Sequence, residues 1–207
     1  MAKAREIPGL TTELPYGEVA ARVLEVRAAE LIEHSAGVLD TTEIERLHAM
    51  RVASRRLRAA IEIFRPCLPK AEASRALRAV KDLADALGER RDRDVAIVSL
   101  DAFAATMPAP DRPGIRSLVR RFAAEQEVAN VALEPFVDPG RLEELHDLVL
   151  DLAATARAAA GVELPAGDGE AVSPAEPTVA DPDPAPAAAG GQPAAATSNG
   201  ADPEAGG

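Results

Sequence analysis

From Tyr16 to Ala160 the chain is written in Ala, Leu, Arg, Glu and Val, with apolar residues recurring at steps of three and four. Nowhere in that stretch does a β-branched run alternate with polar residues between turn signals. That rhythm admits helices and excludes a sheet, so the expected fold is all-α. The spacing predicts helices over about 17–36, from 42 to just before Pro66, and over 70–87, 91–106, 114–133 and 140–160. Gly37 and Gly88 read as C-terminal stops, Thr42 with Glu45 as a capping box, and Pro108, Pro110 and Pro113 as a break. Short connections favour antiparallel neighbours, hence an up-and-down bundle.

At Gly161 the composition changes to Ala, Pro, Gly, Asp, Glu, Ser and Thr, which cannot bury enough apolar surface to offset the entropy of ordering. The expected organisation is an N-terminal extension over 1–15, a helical domain over 16–160 and a disordered acidic tail over 161–207. Charge follows the same division. The whole chain carries a net −11; the tail has eight carboxylates and no Lys or Arg, leaving −3 on residues 1–160. A near-neutral body of about 160 residues is enough for one domain with a sizeable core.

The single Cys67 cannot form an internal disulfide, and no Cys pair suggests a structural zinc site. The opening residues lack the apolar region of a signal peptide, and no stretch approaches the ~18 consecutive apolar residues of a membrane span. The expected setting is cytoplasmic.

The second predicted helix carries the most chemistry. Leu47, Met50, Ser54, Leu57, Ile61 and Phe64 form one largely apolar seam. Displaced by one residue, His48, Arg51, Arg55 and Arg58 repeat the same spacing along its flank and span about 15 Å. Arg56 lies off the row and enlarges the positive region. No carboxylate enters the row before Glu62, so it lacks the acidic i,i+4 partners of an ordinary charged surface and repels itself. An anion would relieve that repulsion, because each guanidinium offers a planar fork to phosphate oxygens. The length of the row points to an extended polyanion, against the alternative of a solvated basic face.

A second basic group, Arg90, Arg91 and Arg93, is interleaved with Glu89, Asp92 and Asp94 at the junction expected between the third and fourth helices. Taken alone, these residues read as acidic groups at a helix start with arginines paired to them. Arg75, Arg78 and Lys81 are further candidates for the same groove.

Together these strings resemble a known family. His48-Ala-Met-Arg51-Val-Ala-Ser-Arg55-Arg56-Leu57-Arg58, preceded by Ile44 and Leu47 and followed by Phe64 and Pro66, is similar to the first signature of the CHAD domain, the conserved histidine α-helical domain. Leu83-Ala-Asp-Ala-Leu87-Gly88-Glu-Arg-Arg91-Asp92-Arg-Asp94-Val95 is similar to its next one, and the resemblance, strongest over 40–106, runs from about 16 to 136. It implies an all-helical fold that binds inorganic polyphosphate in a basic groove without catalysis or cofactor, with targeting to polyphosphate granules in some members. Carried over by position, His48, Arg51, Arg55, Arg56 and Arg58 would face the polyanion, Arg91 and Arg93 would be weaker candidates, and Asp92 and Asp94 would orient the arginines.

The resemblance also implies a second, similar bundle that brings its own His- and Arg-bearing helix to the groove. Here Leu145-His146 begins as such a helix would, but Val149, Ala153 and Ala154 stand where the first has Arg51, Arg55 and Arg56. Only the N-terminal half is expected to be intact. The groove would then be half-lined: either affinity is low, or a second copy of the chain supplies the other wall, or the chain is a truncated remnant.

Other functions find less in the sequence. His48 has arginines where a metal site would need Asp, Glu, Cys or His, and a cation beside them is electrostatically unfavourable. There is no Gly-rich phosphate loop, no Ser-His-Asp arrangement, and no base for Cys67. Nucleic acid would use the same charges, but Tyr16, Phe64, Phe103, Phe122 and Phe136 are the whole aromatic supply, leaving no stacking platform. A scaffold whose basic stripe docks an acidic protein segment is the remaining class.

Overall fold

The computed structural model of this protein describes residues 4–160, and all secondary structure among them is helical. The expectation for 161–207 lies outside the described residues. Five helices follow in order: α1 (Tyr16–Glu33), α2 (Ile44–Ile63), α3 (Lys70–Thr106), α4 (Arg112–Leu133) and α5 (Pro139–Ala159). Single 3-10 turns at Arg65–Cys67, Ala109–Asp111 and Glu134–Phe136 tighten three of the connections, each with a proline in its first positions.

The third and fourth predicted helices are one. α3 runs unbroken for 37 residues through Gly88, which is neither a stop nor in a left-handed conformation. A glycine inside a helix costs only about 1 kcal/mol relative to alanine. Ala73, Ala76, Val80, Leu83, Leu87, Arg90, Arg91 and Asp94 carry the buried face straight across it, and that burial outweighs so small a penalty. Gly37 does stop α1's exit turn, at φ +71°.

The predicted capping box at Thr42 does not form either. The N-cap of α2 is Glu43, without a side-chain cap, because the Thr42 backbone N–H and hydroxyl both donate to Asp40 Oδ1, at 2.8 and 2.7 Å. The Asx turn there competes for the same groups and wins.

α1, α2, the first half of α3, and α5 enclose the core, α1 packing on α2 and α5, and α3 on α2 and α5. The buried face of α1 is Ala20, Ala21, Leu24, Ala28 and Leu31, with Val19 and Val23 partly buried against the core. Small side chains let α5 approach closely: at Gly17 an added Cβ would stand 2.2 Å from the Ala156 carbonyl oxygen. Leu47, Met50, Leu57 and Ile61 of α2, Val80 and Leu87 of α3, and Leu133, Val149 and Leu152 complete the interior.

Beyond Asp94, α3 buries nothing more, and α4 buries only Gln126, Ala129 and Leu133. The distal half of α3 and the facing part of α4 thus form an antiparallel arm rising from the bundle. Its base is latched by a polar network. Arg90, fully buried, donates through Nε to Asp94 Oδ1 at 2.9 Å and through Nη1 to Asn130; Gln126 Nε2 donates to the same Asp94 oxygen at 2.6 Å. Asn130 Nδ2 in turn donates to the Leu39 carbonyl at 2.9 Å, tying the arm to the α1–α2 connection.

Candidate anion-binding groove

α2 and α3 pack side by side, and the predicted basic row of α2 lies on the outer edge of that seam. The core seam of Leu47, Met50, Ser54, Leu57 and Ile61 is buried as expected. On its flank His48 and Arg51 are half-buried, and Arg55 and Arg58 are exposed. Arg51 reaches across to α3, where its Nε lies 4.0 Å from the position a Cβ would occupy on Gly88. One turn further along α3, Arg91 is buried against the start of α2, its side chain only 9 % exposed.

Arg91 is the central feature. Its Nε and Nη1 are buried and have no hydrogen-bond partner among the described residues. The nearest carboxylate is Glu45 at 4.0 Å, too far for a hydrogen bond, and Glu45 is itself largely exposed. Desolvating a guanidinium without satisfying it costs several kcal/mol, so Arg91 stands as a buried donor open to an acceptor. The sequence ranked Arg91 below the α2 row because the expected helix boundary put it at a helix start among carboxylates. With α3 continuous, Asp94 turns inward to Arg90, Asp92 stays exposed, and Arg91 faces α2.

Not every predicted residue joins it. Arg56, about 140° round the helix from Arg51, turns to α1, where its Nη1 donates to Glu30 Oε1 at 2.9 Å. Glu30 is buried, and Arg27 and the Arg5 backbone N–H donate to it as well. Burial pushes the Glu30 carboxyl up, but these hydrogen bonds and the charges of Arg27 and Arg56 outweigh that and hold it below the usual carboxylate range.

Arg93 points to the other side of α3. Its Nη1 donates to the Glu89 carbonyl, and with Arg121 and Val128 it borders a shallow cavity between α3 and α4. Arg75 faces α5 instead, beside Arg141 and Asp151. Arg58 is held by Glu62 in an exposed i,i+4 pair at 2.9 Å. Pairs of that kind contribute about 0.3–0.5 kcal/mol.

On α5, Val149 and Ala153 are buried in the core, and His146 lies against the end of α1 with Ile32 and Ser35. This helix therefore adds nothing to the α2–α3 groove. Among the described residues no group of three or more His, Cys, Asp or Glu is placed to hold a metal ion, and no helix is long and apolar enough to cross a membrane. Cys67 is half-buried, donates to the Phe64 carbonyl and packs against the core; burial pushes its thiol up.

The arrangement is a basic row on α2, His48, Arg51, Arg55 and Arg58, with Arg51 over Gly88 of α3 and the buried Arg91 one turn further along that helix. The family model of the CHAD domain matches residues 22–192. This chain belongs to the CHAD domain family. No curated protein matches it. CHAD domains are known for polyphosphate binding and for their association with triphosphate-tunnel proteins, and they are in general non-catalytic. In this CHAD domain the first signature supplies the α2 row, and the second supplies both the Gly88 gap and Arg91.

Proposed function

We propose that the helical domain, residues 16–160, is a non-catalytic module that binds inorganic polyphosphate in the α2–α3 groove, in the cytoplasm and at polyphosphate granules. The observation that carries this reading is the buried Arg91 guanidinium with two unsatisfied nitrogens, set beside Arg51 over the Gly88 gap. A bridging phosphate between the two arginines would accept from both and relieve the desolvation of the first. His48, Arg55 and Arg58 extend the contact along α2, while Arg56 and Arg93 fall outside the groove.

The test is the affinity of the full chain for long-chain polyphosphate as a function of salt, with single-stranded RNA in parallel. Preference for polyphosphate, a steep fall with salt as expected for roughly four to six phosphate contacts, and loss in Arg51→Ala and Arg91→Ala would support it. Equal inertness of the unsubstituted chain and both variants at low salt would leave a remnant without ligand binding.

A second reading, docking of a second copy of the chain, is favoured by apolar residues left exposed on the arm. Val98, Phe103 and Leu118 are each about half exposed, and Val128 and Val131 more so. A symmetric pair would bring a second basic row to the groove. Light scattering of the full chain decides it: a monomer at every concentration removes this reading.

A further inference from the structure

Arg75, Arg78 and Lys81 lie on the first half of α3, and helix phase separates them. Arg75 borders α5. Lys81 stands seven residues before Gly88, two turns of the helix, and so within about 20° of it round α3, whereas Arg78 is about 80° away. Ala84, between Lys81 and Gly88, adds only a methyl to that edge. Lys81 thus shares the edge that Gly88 presents to Arg51.

α2 repeats the interval. Arg58 stands seven residues after Arg51 and again within about 20° of it. The two helices run antiparallel: Arg51 lies at Gly88, while Glu45, nearer the start of α2, lies at Arg91, further along α3. At about 1.5 Å per residue, seven residues along α2 and seven back along α3 are each about 10 Å, and the connection 64–69 keeps the helices together beyond that level. Arg58 and Lys81 therefore stand at one level on the two sides of the seam.

Both cations are engaged by their own helix. Arg58 Nε donates to Glu62 at 2.9 Å, and Lys81 Nζ lies 3.9 Å from Asp85, all four side chains being about half exposed or more. Glu62 is eleven residues after Arg51 and within about 20° of it, so it stands in the basic row itself. We propose that Lys81 and Arg58 form a further phosphate subsite at this end of the α2–α3 groove, and that Asp85 and Glu62 compete with the ligand for it. This rests on the polyphosphate reading of the groove. A phosphate between the two cations would accept from both and displace both carboxylates, whose exposed pairs are weak. The acids thus set how much negative charge a ligand must bring to occupy this end.

The experiment titrates the full chain and four variants with long-chain polyphosphate over a range of salt. Lys81→Ala is set against Arg78→Ala, and Glu62→Gln/Asp85→Asn against Glu72→Gln/Asp82→Asn, which removes the same charge more than about 100° round α3 from Gly88. All six positions are exposed, so circular dichroism and thermal midpoint should hold. Lys81→Ala should lower affinity about fivefold or more and make the salt slope shallower by about one, with Arg78→Ala costing about twofold or less. Glu62→Gln/Asp85→Asn should raise affinity about three- to fivefold, and its control by less. Equal losses in Lys81→Ala and Arg78→Ala would overturn the subsite, and a double variant that gains no more than its control would overturn the competition. Either failure leaves binding that Arg51→Ala and Arg91→Ala still abolish, whereas an unsubstituted chain that binds no polyphosphate sinks the groove itself.

Discussion

Arg51 and Gly88 share one space across the α2–α3 seam, the Arg51 Nε lying 4.0 Å from where a Cβ on Gly88 would stand. Alanine fits there at ordinary contact distance, and anything longer does not. Gly88→Ala should therefore raise unfolding free energy by about 0.5–1 kcal/mol, as glycine's helical penalty is removed, with polyphosphate affinity unchanged. Gly88→Leu should push Arg51 out of the groove and lower affinity while α3 stays helical. Urea unfolding and a binding titration on the same preparations check both.

Arg56 and Arg91 should separate stability from binding. Arg56→Leu removes a hydrogen bond to the buried Glu30 and should cost roughly 1 kcal/mol, leaving affinity where it was. Arg91→Leu removes a buried and unsatisfied guanidinium, so stability should hold or rise while binding is lost. If Arg56→Leu were to abolish binding instead, the groove would have to extend round α2 to the α1 side.

Glu30 sets an acid limit on the bundle. Its carboxyl is held below the ordinary value of 4.5, so the stabilisation it gives is complete above that value and drains as pH falls through the lower, folded value. Urea midpoints measured downward from about pH 6 should fall more steeply in the unsubstituted chain than in Glu30→Gln, which has no such proton to take up. Parallel curves for the two would count against it.

The α1–α5 crossing should tolerate no side chain at Gly17. A methyl there meets the Ala156 carbonyl oxygen at 2.2 Å, and because the obstacle is backbone the helices must separate. Gly17→Ala should destabilise by about 1–3 kcal/mol, read as a lower thermal midpoint with unchanged helical content at low temperature.

How much of this was legible beforehand depends on which residues are asked. The all-helical class and the core seam of α2 follow from spacing alone, because Leu47, Met50, Leu57 and Ile61 face one way at any plausible boundary. Fusion of two predicted helices into α3 was missed because Gly88 was weighed as punctuation. The continuing run Val80, Leu83, Leu87, Arg90, Asp94 was the signal that favoured continuity.

For the groove, His48, Arg51, Arg55 and Arg58 are legible as a row because their spacing lies within one helix. Spacing could not rank Arg91 above Arg93, since the two differ only in which side of α3 they take, and that is decided by packing against α2. Arg56 was misjudged for the same reason: its partner, Glu30, is on another helix.

The unbroken length of α3 has a mechanical meaning. Thirty-seven residues at 1.5 Å each make a rod of about 55 Å with no loop or proline along it. Arg91 at the seam and the arm above are therefore held at a spacing set by backbone hydrogen bonds. Whatever touches both meets a fixed spacing, because the entropy of setting the arm against the seam is met when the chain folds.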